Sequence, residues 1–419
     1  MNMVTTNNTD AGNNNKNIEE RVEANINTSA NRKKDAKKNT NRIVLFCIIT
    51  SLFWFSLYSY VPILSVFALE LNASVTLAGL IAGSYGFTQM LLRIPLGIAS
   101  DVLKKRKLFI ILGLFFAMIS GLGVFIFPNK YSLLIFRSLS GCAASSWVVF
   151  SVLFAGYFRE DEAPKAIGYL NSFNSLGTLS AQLLGGIVAD RFGHKYSFLL
   201  AGITAFIAII LGLWIVEKNN TETEPIKVAE IGDVARNKSL ILVSILAVFS
   251  QFLTFATAQG FTSVVAKELG ANEFQIGVLS MLSSLPGLLI SPLTGTFFLR
   301  VLGARKTIVL GFIISALSCA SVPFAGNIYM LYVIQFIGAC GRSMIIPLLM
   351  GLSIKNFSSR QRATAMGFYQ AIYSFGMFIG PVCLGFISDI SNMTIAFLAT
   401  SLVGIIGAIT AHAGISKRT

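Results

Sequence analysis

The sequence predicts an all-α membrane protein: twelve transmembrane helices in two pseudo-symmetric bundles of six. Three observations predict it. The 419 residues are 54% hydrophobic and only 12% charged, about half the charge of an ordinary soluble protein. Apolar runs long enough to cross a bilayer recur along the chain. The second half also repeats the first at a nearly constant offset.

Residues 1–41 come first. They hold twelve Asn and a basic cluster from Arg32 to Lys38, and bury too little apolar surface to offset ordering entropy, so they are expected to form a disordered tail. A polar stretch of this length before the first apolar run is not a signal peptide. Spans are expected near 43–67, 76–100, 108–127, 132–157, 165–189, 196–216, 239–265, 274–298, 307–325, 328–352, 363–387 and 394–413. The polar interruption at 217–238 is the central linker. It divides the chain into one bundle over 42–216 and another over 239–419.

Orientation follows from Lys and Arg in the loops. The net charge is +14, from 33 Lys+Arg against 19 Asp+Glu. With both ends inside, 26 of the 33 cations fall on cytoplasmic segments. Only Lys130, Arg191, Lys195 and Lys267 fall on external loops, and Arg93, Arg137 and Arg342 lie within spans. The excess therefore records orientation in a plasma membrane rather than nucleic-acid binding. Cys47, Cys142, Cys319, Cys340 and Cys383 all lie in apolar runs without paired spacing, which excludes a disulfide framework or a zinc site. The loops carry no nucleotide-binding phosphate loop, and no cofactor or metal is expected.

The repeat is specific. Ala68-Leu-Glu-Leu-Asn-Ala73 recurs 198 residues later as Ala266-Lys-Glu-Leu-Gly-Ala271, and Gly79 and Gly97 meet Gly277 and Gly295. At offset 199, Gly168, Gly177, Gly186 and Asp190 meet Gly367, Gly376, Gly385 and Asp389. Proteins built from two such parallel repeats hold substrate between them near the bilayer midplane.

On these residues the chain resembles the major facilitator superfamily of secondary transporters. The loop Gly97-Ile-Ala-Ser-Asp101-Val-Leu-Lys104-Lys105-Arg106 is similar to the family's G-x-L-a-D-R-x-G-R-K motif. Val102 and Lys104 stand where the family has Arg and Gly, so a different turn is expected. The second copy keeps Gly295, Arg300, Gly303, Arg305 and Lys306, with Leu299 in place of Asp. Asp101 is expected near the N-terminus of the eleventh helix, where the partial positive charge would draw the two bundles together on the inside. Lys104 and Lys107 read as loop charges that obey the orientation rule.

Arg137-Ser-Leu-Ser-Gly141 is similar to the family's R-x-x-Q-G-x-G segment, whose Arg is tied in relatives to proton coupling; Arg137 also lies within snorkelling range of the outer edge. Gly168, Gly177, Gly185 and Gly186 have the spacing of the family's antiporter helix without its central Gly-Pro, which the eleventh span supplies as Gly380-Pro381 beside Gly376. Glycines at such spacing also pack membrane helices. His194, in the loop Asp190–Lys195, reads as a solvated residue.

None of the nineteen acids lies deep in a span, which argues against the simplest cation–proton exchange. Arg342 is at least ten residues from either end of its span, too deep to snorkel, and a charge there costs roughly 2.5–3.5 kcal/mol. Gln335 and Arg342 share a helix face. Asn171, Asn174, Thr178 and Gln182 form a stripe on the fifth helix, answered by Gln370 and Tyr373 on its copy; Trp54 and Tyr58 on the first helix and Gln251 on the seventh complete the candidate lining.

The reading is a monomeric secondary transporter of the drug-efflux-like branch. It would move a small organic solute by alternating access, coupled to a proton or sodium gradient. The alternative is uptake or exchange of an organic anion through Arg342. A membrane enzyme would need a cluster of His, Asp or Glu that the sequence does not concentrate, and a receptor would carry a folded soluble domain.

Overall fold

The computed structural model describes residues 40–159, 162–217, 232, 234, 236–355, 357 and 359–415. Twelve long helices follow one another, and the described residues contain no strand. They are α1 (Thr40–Glu70), α2 (Val75–Leu103), α3 (Arg106–Ile126), α4 (Lys130–Ala155), α5 (Ala163–Phe192) and α6 (His194–Gly212) in the first half. The second half has α7 (Lys238–Glu268), α8 (Glu273–Leu293), α9 (Leu299–Phe324), α10 (Ile328–Ile354), α11 (Ser359–Ile390) and α12 (Met393–Gly414). The predicted tail lies outside the described residues apart from Thr40 and Asn41, as does most of the predicted linker.

Eleven of these helices are long and apolar enough to cross a membrane. The exception is α5. Its 30 residues suffice in length, but Asn171, Asn174 and Gln182 interrupt its apolar run. An even number of helices puts both ends of the described chain on one face, called proximal here. The opposite, distal face holds tight turns, where Ser74, Asn129, Asn272, Asn327 and Asn392 cap the helices that follow by accepting from their first free N–H groups.

Within the first half α3 packs on α4 and α6; within the second α9 packs on α10 and α12. Two pairs join the halves, α2 with α11 and α5 with α8. One cluster of buried side chains takes in the distal part of the first half, with Tyr60, Phe67 and Phe198, and runs the length of the other, from Val264, Ile276 and Phe397 to Leu240 and Ala411. The second is almost wholly the first half's own, built on stacked Phe53 and Phe150 with Phe46 and Phe154, and takes in only Phe255 and Met377 from the other half.

The proximal turns of the two copies differ. Lys104 adopts the left-handed helical conformation (φ 49°, ψ 31°), whereas Gly303, 199 residues later, combines a positive φ with an extended ψ (φ 74°, ψ 162°). The second corner therefore falls at Gly303, inside the first turn of α9, with a π-helical turn at Thr294–Phe298 prolonging α8 towards it. Glu217, five residues beyond α6, accepts from the N–H groups of Arg106 (2.7 Å) and Lys107 (3.2 Å) and holds the start of α3. A left-handed non-glycine residue costs about 1–2 kcal/mol. Lys104→Gly is thus expected to raise the melting temperature in detergent, and Lys104→Val to lower it; the reverse order would show that the turn is not strained.

Candidate functional site between the two halves

The seam begins with glycine. A Cβ at Gly79, Gly83 or Gly86 of α2 would run into the α11 backbone at Pro381, Phe378 and Met377. Gly186 of α5 lies against Gly277 of α8, where an added Cβ would come 2.7 Å from the Gly277 Cα. The same residue type also binds each half internally: Gly177 and Gly185 seat α5 on Ser51 and Ser59 of α1, and Gly376 and Gly380 seat α11 on Val248 and Phe252 of α7. Gly168 and Gly367, at the proximal ends of α5 and α11, meet nothing within 4 Å.

Polar groups close the distal rim over this seam. Asp389, at the end of α11, accepts from the N–H of Val75 (3.1 Å), the N–H of Thr76 (2.8 Å) and the Thr76 hydroxyl (2.6 Å). A carboxylate thus sits on the positive N-terminal end of α2. Around the rim, His194 Nδ1 lies 2.7 Å from Glu70 and its Nε2 3.2 Å from Glu273, which also pairs with Lys267. The His194 side chain is 11% exposed. It is not the solvated loop residue that its sequence position suggested, because α1 and α8 bring carboxylates to both sides of the ring.

Among the described residues, contacts between the halves run from this rim down to Arg93, which donates to the Tyr373 hydroxyl (3.1 Å) and to Gln89 (2.7 Å). Tyr85 stacks on Phe255 across the same seam (6.1 Å between centroids). Arg93 therefore crosses to α11 instead of reaching the membrane surface. Arg137 also turns inward. It is 3% exposed, its guanidinium lies 4.3 Å from the Tyr85 ring centroid, and it donates to the Tyr60 hydroxyl at 3.2 Å.

The predicted lining residues divide. Trp54 and half-buried Tyr58 contact each other (5.7 Å), Trp54 meets Trp147 (5.1 Å), and Tyr58 and Tyr373 both pack against the cluster that includes Phe255. Gln182 is fully buried, and neither of its amide atoms has a partner in the protein; Trp54 Nε1 and the Tyr369 hydroxyl are likewise buried without one. Gln370 is buried and Gln251 and Asn174 half-buried, whereas Asn171 is exposed at the proximal end of the stripe. Gln335 donates to Thr262 of α7 (3.1 Å).

Arg342 is buried inside the second half. Its Nη1 shares the notch at Gly338 with Ser318 of α9, and Nη2 has no hydrogen-bond partner in the protein. Of the proximal motif, Lys105 and Lys306 are exposed, Gly97 lies 3.8 Å from Val148 by its added Cβ, and Gly295 is open. The side chain of Asp101 lies outside the described residues.

Two consecutive six-helix units joined by α2–α11 and α5–α8 agree with a family model, described as the Major Facilitator Superfamily, that matches residues 46–264 and again 243–415. The chain belongs to the major facilitator superfamily. It is a multi-pass membrane transporter and not an enzyme. An uncharacterised MFS-type transporter of Methanocaldococcus jannaschii, MJ1560, is 27% identical over 85% of this chain and 93% of that protein. The multidrug resistance protein MdtG of Salmonella arizonae is 24% identical over 69% of this chain and 73% of its own. Among solved structures, a bacterial homologue of the human lysosomal transporter Spinster, in an inward-facing and occupied conformation, superposes with a TM-score of 0.71 at 15% identity, covering 89% of this chain and 96% of its own. The nucleoside transporter NupG gives 0.72 at 14%, covering 89% and 98%.

Sequence reasoning missed the distal rim. Asp389 was visible only as a repeat partner of Asp190, and nothing local announces that a helix N-terminus 314 residues away will meet it. The superfamily seam makes a direct prediction. Gly83→Leu should force α2 from α11 and raise labelling of a Gln182→Cys reporter by a distally supplied impermeant maleimide about tenfold. Unchanged labelling would mean that this contact does not hold the rim shut.

Proposed function

We propose that this transporter exports a small amphipathic organic solute by alternating access, driven by an ion gradient, and that the structure is its inward-facing state. The supporting observation is the placement of contacts between the halves. Among the described side chains, the polar contacts and close glycine approaches between the halves run from the distal rim to Arg93–Tyr373, about 27 Å of helix rise along α2 from Val75, while Gly168 and Gly367 beyond them are open. In this reading the proximal face is cytoplasmic, the bilayer is the plasma membrane and the working unit is a monomer. The Lys and Arg count of the proximal loops supports that orientation.

The solute class rests on the lining. Trp54, Tyr58, Trp147, Phe255 and Tyr373 offer ring faces from both halves. The buried Gln182 amide and Trp54 Nε1 offer hydrogen bonds without a fixed charge, and such a surface suits amphipathic molecules. The MdtG relatives, named for multidrug resistance, support the same direction. Arg342 favours the second reading, exchange of an organic anion, because its Nη2 lacks a protein partner; its seat between α9 and α10 sets it back from the aromatic lining.

The test is transport by the full chain in proteoliposomes. Trp54→Ala is expected to slow amphipathic dye export about fivefold, the size of a lost aromatic contact, and Arg342→Ala to leave it unchanged. Carboxylate exchange that disappears in Arg342→Ala, with no dye export by the parent protein, would replace this reading with the anion one.

A further inference from the structure

His194 sits where three helices from both halves converge. Its Nδ1 faces Glu70 Oε2 at 2.7 Å and its Nε2 faces Glu273 Oε1 at 3.2 Å. A neutral imidazole has one N–H and one bare lone pair, so it can donate to only one of two carboxylates. The imidazolium donates to both. With Lys267 on Glu273, the protonated cluster holds two cations and two anions; without the proton one negative charge is left unmatched. The remaining charged groups nearby do not enter this balance. Lys195 is turned to the rings of Phe125 and Tyr196, Glu268 at the end of α7 is exposed, and Asp190 and Arg191 are exposed on α5. Phe67 covers the imidazole, with ring centroids 5.4 Å apart. The cluster does not suit a bound metal cation, because the Lys267 ammonium already occupies the Glu273 oxygen that faces the ring.

We propose that His194 is a proton-binding site that locks the distal gate. The proton comes from water on the distal side. It turns the imidazole into a double donor that ties Glu70 of the first half to Glu273 of the second, and it returns to that water when the halves part. Opening the gate separates His194 from Glu273 and removes the second acceptor, so the imidazolium ties the two halves only when the gate is shut. Acid on the distal side therefore favours the shut gate and alkali releases it. This goes beyond the transporter reading by giving the distal gate a proton-dependent lock that responds to the medium on that side, and it rests on that reading.

The experiment measures the gate itself and needs no substrate, so its failure is separable from failure of the solute assignment. Spin labels on Pro128→Cys and Gly326→Cys, both in exposed distal loops of opposite halves, report the opening by their distance distribution. The full chain, with its native cysteines replaced, is placed in lipid nanodiscs. Between about pH 5.5 and about pH 8 the ratio of shut to open protein is expected to fall about tenfold. His194→Gln, which cannot become a double-donor cation, should be more open and independent of pH. His194→Arg, charged throughout, should be shut and independent of pH. Asp389→Asn weakens the other rim contact and should open the gate while keeping the pH response. A parent protein that does not respond to pH, or a His194→Gln variant that keeps the parent's response, overturns the proposal.

Discussion

Close approach of helix backbones at two pairs, α2 with α11 and α5 with α8, is the constraint on which the rest of the molecule depends. Lipid tails are as apolar as leucine, so no hydrophobic gain draws one bundle to the other; van der Waals contact and local polar bonds must do it. Glycines at 79, 83, 86, 186 and 277 permit that contact. Only when they have brought the helix ends together do Asp389 reach the start of α2 and Glu273 reach His194. The polar rim is thus a consequence of the steric seam, and the two stand or fall together.

The halves are copies in architecture and differ in chemistry at equivalent positions of α4 and α10. Arg137 and Gln335 are 198 residues apart, as are Cys142 and Cys340, so they are equivalent positions on α4 and α10. One is a cation packed on Tyr85, the other a neutral amide bonded to Thr262. Arg342 falls opposite Ala144, a fully buried small residue. Each half therefore buries one cation on this helix, at different depths and with different neighbours. A rocking motion between such unequal halves need not be symmetric in its electrostatics.

The helices and their pairing into two units were legible in the sequence because length, apolarity and a constant offset are properties of the chain itself. The left-handed backbone at Lys104 was not legible, since residue identity suggests a geometry but packing can impose one that the residue disfavours. Arg137 was placed within reach of the outer edge, but its side chain turns inward onto Tyr85. Distance to the membrane edge shows that a cation can reach water; it does not show that a tyrosine on another helix lies nearer. His194 was missed for the same reason. Its partners are 124 and 79 residues away, and no pattern local to Asp190–Lys195 encodes them.

The fifth helix carries a consequence for how the protein is made. Asn171, Asn174 and Gln182 leave α5 alone among the twelve described helices as a segment whose composition falls short of a membrane span. Polar side chains at the centre of a helix penalise insertion one segment at a time. Its residence in the bilayer is therefore conferred by neighbours, chiefly α1, which receives Gly177 and Gly185, and α8, which receives Gly186. Since α8 is synthesised last of these, α5 must wait in a provisional position, held by α1, until the second half of the chain arrives to cover it.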